Sequence, residues 1–404
     1  MLKTETAVAP ADLFEKCRQF TAAREVMAMG IYPYFRVISS APGTVVTVDG
    51  KELLMIGSNN YLGLTNHPKV VEAAAEASRK FGSGCTGSRF LNGTLDIHVE
   101  LEERLAKFMK RPAALMFSTG FQTNLGTISC IVGRNDTIYA DRSNHASLVD
   151  GCRLSFGRTV KFSHNDMADL ERVLRTSVNG GGRLIVVDGV FSMEGDITKL
   201  PEIIRLAREF GARVMVDDAH SIGVLGVGGR GTAEHFGLID ETDLVMGTFS
   251  KSFASLGGFI AGEEDVIHFI KHFSRELIFS ASMTPASVAS CLAALDIIET
   301  EPERRTRLWD ITHRMHREFK NLGFNIGVTE TPIIPIYIGE DILTFQFWRD
   351  LTDAGIFANP IVSPAVPPGH ALIRTSYTAT HTDEQLDFVL ETFAKVGKKL
   401  GVIR

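Results

Sequence analysis

The segment Leu200-Pro-Glu-Ile-Ile-Arg-Leu-Ala-Arg-Glu-Phe210-Gly-Ala-Arg-Val-Met-Val-Asp217-Asp-Ala-His220 decides the architecture. Leu200, Ile203, Ile204, Ala207 and Phe210 recur at three- and four-residue steps, the period of a helix with one buried face. Gly211 follows as a C-cap. Residues 214–217 are then a short apolar run that ends on a carboxylate. Such a run does not alternate, so it reads as a strand covered on both faces. Helix passing into a buried strand is the repeating unit of a mostly parallel sheet.

The same pattern extends in both directions. Strands are predicted at 113–117, 137–140, 160–162, 184–188, 214–217 and 244–247, with helical spacing between them. Ahead of them, a helix over 10–29 ends at Gly30, and 45–48 and 52–55 flank Asp49-Gly50, a hairpin signal. Behind them, a long helical stretch over 284–321 leads to strands at 333–338, 356–359 and 372–376. Helices are expected at 345–354 and 383–400, and a proline-rich loop at 359–369. The domain division that follows is an N-terminal helix and hairpin segment over 1–55, a large domain over 56–295 and a small C-terminal domain over 296–404.

Composition excludes several functions. Of 404 residues, 44% are hydrophobic and 22% charged, which is ordinary for a folded chain. Lys plus Arg is 42 against 48 Asp plus Glu, a net charge of −6 and the wrong balance for nucleic acid. There is no apolar run of about 18 residues, so no membrane span is predicted. The N-terminus carries Lys3, Glu5 and Asp12 without an apolar stretch, unlike a secretory signal. Cys17, Cys85, Cys130, Cys152 and Cys291 are odd in number and scattered. That argues against a disulfide framework or a zinc site and for a cytoplasmic protein.

Ligands of such sheets bind beyond the carboxyl ends of the strands, and four groups fall there. Asp217 and His220 follow one strand, an acid able to pair with a cationic ring nitrogen and an imidazole in reach of the same ligand. Lys251 follows another, in Gly247-Thr-Phe-Ser-Lys-Ser-Phe, with no helical charge pattern around it. A buried lysine has a depressed pKa and becomes a Schiff-base nucleophile. Thr248 and Ser250 offer hydroxyls to a phosphate, and Gly257 and Gly258 permit close backbone approach. Phe117-Ser-Thr-Gly120-Phe121-Gln-Thr-Asn turns from strand into helix and presents backbone N–H groups to an anion. His145, in Asp141-Arg-Ser-Asn-His, could stack on a planar group. Each alone has an ordinary structural explanation. Together they are the parts needed to hold pyridoxal 5′-phosphate.

Residues 216–220, 248–251, 120–121 and 144–145 resemble the α-oxoamine synthases, and the resemblance runs from about 34 to 381. It implies fold-type I of the pyridoxal-phosphate enzymes, the aspartate-aminotransferase-like α/β fold. A large domain with a mostly parallel sheet flanked by helices carries a smaller C-terminal α/β domain. The family joins an amino acid to an acyl thioester with loss of CO₂, or in one branch performs the related cleavage. The stretches Gly87-Ser-Arg-Phe-Leu-Asn-Gly, 247–259, Phe279-Ser-Ala-Ser-Met-Thr-Pro285 and Asn359-Pro-Ile-Val-Ser-Pro are most similar to the soluble bacterial branch acting on L-serine and a long-chain acyl-CoA. That branch makes 3-oxosphinganine, CoA and CO₂ from L-serine and palmitoyl-CoA, the first step of sphingolipid synthesis. Sister branches use glycine or alanine with another acyl-CoA. A non-catalytic homologue and a plain aminotransferase remain as alternatives, the first disfavoured by the presence of Lys251, Asp217, His220 and His145.

The resemblance implies a role for each residue. Lys251 bonds the cofactor and acts as base. Asp217 pairs with the ring nitrogen, His220 and Ser192 contact the phenolic oxygen, and His145 stacks on the ring and touches the substrate carboxylate. Gly120, Phe121, Thr248 and Ser250 hold the phosphate, with Ser280 and Ala281 completing that site from the partner subunit of a homodimer. Asn60 approaches the substrate from the N-terminal region, within the chain or across the dimer, and Arg374 clamps its carboxylate. Some members carry an arginine just ahead of the proline-rich loop, where this chain has Val362-Ser363. The acyl tail is expected in a groove near the dimer interface and the 364–368 loop.

Overall fold

The computed structural model describes residues 12–176 and 180–404. Asp49 and Gly50 both take positive φ, 50° and 74°, as the tight turn of a two-residue hairpin requires. They join β1 (Val45–Val48) to antiparallel β2 (Lys51–Met55). The central sheet is built from β3 (Ala113–Phe117), β4 (Thr137–Asp141), β5 (Arg158–Phe162), β6 (Arg183–Asp188), β7 (Arg213–Asp217), β8 (Leu244–Thr248) and β9 (Gly258–Gly262). Its order is β3-β9-β8-β7-β6-β4-β5. Only β9 runs antiparallel to its neighbours. Strands β4, β8 and β9 are buried along their whole length because helices cover both faces.

The helix Leu200–Phe210 shows how the cover is made. Leu200, Ile203, Ile204, Leu206 and Ala207 are buried, while Arg205 and Glu209 pair outward at 3.2 Å. Each buried Leu or Ile contributes about 1.5–3 kcal/mol. Gly211 ends the helix at φ 64°, a left-handed cap open to glycine at little cost. The parallel strands end together, with Asp188 beside Asp217 and Asp217 beside Met246 in register. Phe117 and Thr248 both pair with Gly258 on the same edge. This edge carries the candidate site.

Further along, β10 (Ile333–Gly339), β11 (Ile356–Phe357), β12 (Asn359–Ile361) and β13 (Ala371–Ser376) form the C-terminal part. Strands β10, β13 and β12 make an antiparallel sheet, whereas β11 pairs with β2 of the hairpin. Tyr377, Phe319, Phe347 and Phe393 sit in the core behind that sheet.

The expected elements are corrected in five places. Of the helix expected over 10–29, positions 10 and 11 lie outside the described residues, and the rest is two short helices, Glu15–Arg18 and Ala22–Ala28. Neither buries a residue, so no packing sustains a longer one. The stretch over 284–321 is broken into Pro285–Thr300 and Pro302–Asn321, because Pro302 cannot continue the preceding ladder. The strand expected over 356–359 divides at Ala358, since its two halves serve different sheets. The helix expected from 345 begins at Asp341. Strand β9 is not among the expected strands, since the glycines at its two ends leave only Phe259, Ile260 and Ala261 as an apolar run.

Those glycines have a packing reason. A Cβ on Gly258 would fall 2.7 Å from Gly120 Cα and 2.6 Å from Thr123 Oγ1. Gly258 therefore lets the helix Gly120–Ile131 begin directly against the sheet. Gly258→Ala is expected to cost about 1–3 kcal/mol of stability through overpacking. A lowered urea midpoint at unchanged slope checks it.

Candidate active site

A cavity of about 270 Å³ opens at the carboxyl edge of the sheet. Gly120, Phe121, His145, Ser192, Asp217, His220, Thr248, Ser250 and Lys251 all line it. Residues from five separate strand ends thus converge on one space.

Asp217 forms one wall. Its Oδ2 accepts from Asn124 Nδ2 at 2.7 Å and its Oδ1 from the Ala219 amide at 2.9 Å. Both oxygens facing N–H donors is the coordination of a carboxylate. Asn124 also donates to Ser147 Oγ at 2.9 Å, and Ser147 Oγ lies 2.7 Å from His145 Nδ1. The chain from Asp217 through Asn124 and Ser147 therefore fixes the His145 ring. Asp188 accepts from the His145 amide at 2.8 Å. Burial, with the like charge of Asp217 beside it, pushes the Asp188 carboxyl well above the usual range.

Lys251 projects from the turn after β8. Burial lowers its amine to about 8, against the attraction of Asp217 and Asp188 and with the help of repulsion from Arg374. Burial also lowers His145 and His220 below the usual imidazole range. His220 Nδ1 lies 2.7 Å from the Tyr61 hydroxyl. With Tyr61 donating, Nε2 keeps its hydrogen for a ligand.

The opposite end is an anion cradle. Thr119 caps the helix Gly120–Ile131 by accepting from the Gln122 amide at 3.0 Å. The amides of Gly120 and Phe121 have no acceptor among the described residues. Thr248 Oγ1 and Ser250 Oγ stand 3.0 Å apart beside them. A Cβ on Gly120 would lie 2.7 Å from Thr248 Oγ1 and would close the cradle.

A second cavity of about 380 Å³ shares His145, Ser192, His220 and Lys251 with the first. Arg374 lines it, held by Nε donating to the Ser192 carbonyl at 2.6 Å and Nη2 donating to Asn59 Oδ1 at 3.1 Å. It is the only arginine among the lining residues, so Val362-Ser363 brings no second one.

Asn60, and Ser280 and Ala281, which were expected to serve the partner subunit's site, line neither cavity of this chain. Asn60 Oδ1 accepts from the Leu64 amide at 3.0 Å, and it is the neighbouring Asn59 that reaches the cavity. Ser280 Oγ accepts from Gln122 Nε2 at 2.9 Å, and the Ala281 carbonyl accepts from Ser118 Oγ. Both sit behind the cradle helix rather than in the cavity. Sequence reasoning assigned nothing to Asn124, Asp188, Asn59 or Tyr61. Asp188 ends a strand as Asp217 does, and Asn124 lies one helical turn from Gly120, so both had a signal.

A family model, aminotransferase class I and II, matches residues 51–393. A serine palmitoyltransferase of Sphingobacterium spiritivorum is 53% identical over 390 residues, 96% of this chain and 98% of that protein. An 8-amino-7-oxononanoate synthase of Thermoanaerobacter pseudethanolicus is 44% identical over 380 residues, 94% of this chain and 96% of that one. Among solved structures, a serine palmitoyltransferase from S. paucimobilis with a bound PLP–myriocin aldimine superposes with a TM-score of 0.95 at 36% identity. That match covers 97% of this chain and 100% of the other.

The cavity fits pyridoxal phosphate. The glycine-bounded cradle suits the phosphate, Asp217 suits a cationic ring nitrogen, and Lys251 suits the aldehyde. On the cofactor-free chain, labelling of Lys251 by an amine-reactive reagent is expected to rise as pH passes about 8. Above that pH the neutral amine dominates, while ordinary surface lysines titrate at about 10.4. Peptide mapping by mass spectrometry checks the difference.

Proposed function

Because the chain belongs to the class I and II aminotransferases, and within them to the pyridoxal-phosphate α-oxoamine synthases, we propose that it is a serine palmitoyltransferase. It condenses L-serine with palmitoyl-CoA to give 3-oxosphinganine, CoA and CO₂. The observation that carries this reading is that Lys251 and Arg374 face one cavity next to the anion cradle. An amine base and a carboxylate anchor are thereby set on either side of an α-amino acid.

Bound pyridoxal phosphate supplies the electron sink for negative charge at the amino acid's Cα. The phosphate is held by the Gly120 and Phe121 amides with Thr248 and Ser250. Asp217, fixed by Asn124, keeps negative charge at the ring-nitrogen end. His145 is neutral and presents a flat ring, and His220 with Tyr61 offers an Nε2 donor. Arg374 takes the serine carboxylate with its planar fork. Lys251 Nζ, close to half neutral at about pH 8, removes the Cα proton and later returns one. One C–C bond forms to the thioester carbonyl as CoA departs, and the carboxylate leaves Arg374 as CO₂.

Tyr34, Pro360 and Ile361 give the second cavity an apolar wall for the start of the acyl chain. No helix among the described residues is long and apolar enough to cross a membrane. The reading includes a homodimer with its site at the interface. Phe279 is 79% exposed beside Ser280 and Ala281, against the cradle helix, and a second copy would cover it. We assign the enzyme to the cytoplasm, where its five free cysteines stay reduced.

The test is product analysis by mass spectrometry with serine, glycine and alanine against acyl-CoAs of different length. Serine with palmitoyl-CoA is expected to dominate. Preference for glycine or alanine would transfer the chain to a sister activity. Arg374→Lys is expected to raise the KM for serine about tenfold or more, since a bidentate charged contact is lost. Unchanged KM would remove Arg374 from the carboxylate site.

A further inference from the structure

One partly buried charged cluster is left unused by this mechanism. His164 lies just beyond β5 and lines neither cavity. Its Nδ1 is 3.1 Å from Asp141 Oδ1 and its Nε2 is 3.2 Å from Asp196 Oδ2. The ring packs edge-on against Phe191, 4.3 Å between centroids. A carboxylate only accepts, so both ring nitrogens carry hydrogen and the ring is an imidazolium. Burial opposes that charge, but Asp141 and Asp196 outweigh it and push the imidazole up to about 10. Glu194 also faces the cluster, its carboxyl raised by burial.

The two carboxylates belong to two different active-site loops. Asp141 ends β4 and orders the run to His145, accepting from the Ser143 amide at 2.8 Å through Oδ1. Its carbonyl accepts from the Asn144 amide at 3.3 Å. Asp196 closes a tight loop whose Phe191 amide donates to the Asp196 carbonyl at 3.1 Å. That loop carries Ser192, whose carbonyl holds Arg374. Asn165 repeats the tie, its amide donating to Asp141 Oδ2 at 2.8 Å and its Nδ2 to Asp196 Oδ2 at 3.0 Å. Asn165 does so at φ 51°, a left-handed conformation that asparagine tolerates better than most side chains.

We propose that His164 is a positioning residue that ties the Asp141 and Asp196 loops together and so sets the spacing of His145 and Arg374 across the amino-acid subsite. This rests on reading the second cavity as that subsite. His164 touches neither substrate nor cofactor, so its removal changes where Arg374 points rather than the chemistry itself.

The experiment uses the pyridoxal-phosphate holoenzyme and His164→Gln, which keeps a donor and removes the charge. The Kd of L-serine, read from the cofactor absorbance, is expected to weaken about tenfold or more, as small misplacements do. The kcat should fall much less. Asp196→Asn should reproduce the effect. Combining His164→Gln with Arg374→Lys should weaken serine by less than the product of the single effects, because both act on one anchor. A lower melting temperature with unchanged serine Kd, or fully multiplicative effects, would overturn the proposal. Nitrogen NMR of the His164 ring at neutral pH gives a readout independent of substrate. Two protonated nitrogens are expected, and a neutral ring would overturn the clamp. If the wild-type holoenzyme fails to bind serine, the subsite reading falls, and the ring nitrogens still decide the clamp.

Discussion

Two aspartates stand in register at the carboxyl edge of the sheet, Asp188 on β6 and Asp217 on β7. Both are buried, and burial of two like charges side by side is costly. The structure resolves the conflict by unequal coordination. Asp217 receives N–H donors on both oxygens, whereas Asp188 receives one amide and has its carboxyl raised. One side of the cavity is thereby anionic at a single point. The lowered Lys251 amine and the lowered His145 and His220 imidazoles follow from the same burial. A shallower site would leave Lys251 a permanent cation and remove the base.

The anion end depends on steric room rather than on charge. A methyl group on Gly258 would strike Gly120 and Thr123 of the cradle helix, and one on Gly120 would strike Thr248 of β8. This contact delivers the helix start to the edge of β8 and β9, where its free amides meet Thr248 and Ser250. Antiparallel β9 is what inserts Gly258 there, so one reversed strand in an otherwise parallel sheet serves the cradle.

The second cavity joins distant parts of the chain. Arg374 comes from β13, Asn59 from the segment after the hairpin, and Ser192 from the loop after β6. Each segment is anchored by buried apolar neighbours, Phe191 beside Ser192, Tyr61 near Asn59 and Ile373 beside Arg374. Charged and amide ties, with His164 and Asn165 between Asp141 and Asp196, add to that packing. Such ties fix direction as well as distance, which a carboxylate anchor requires.

Much of this was legible in the residues. The apolar runs of β3 to β8 and the helix Leu200–Phe210 follow from periodicity, because burial selects side chains one position at a time. Lys251, Asp217, His220, His145 and Gly120 were found from their places after strands, since parallel sheets present that edge to ligands. The sequence could not show Asn124 reaching Asp217, which lies 93 positions away. Nor could it show that Asn59 meets the Arg374 guanidinium, 315 positions away. Strand β9 escaped because its glycines carry no apolar signal and are explained only by the helix packed against them. Periodicity and strand ends are local properties of a chain, and the amino acids alone determine them. Which buried partners meet, and therefore which carboxyl ionises and where Arg374 points, is decided only when distant segments are packed together.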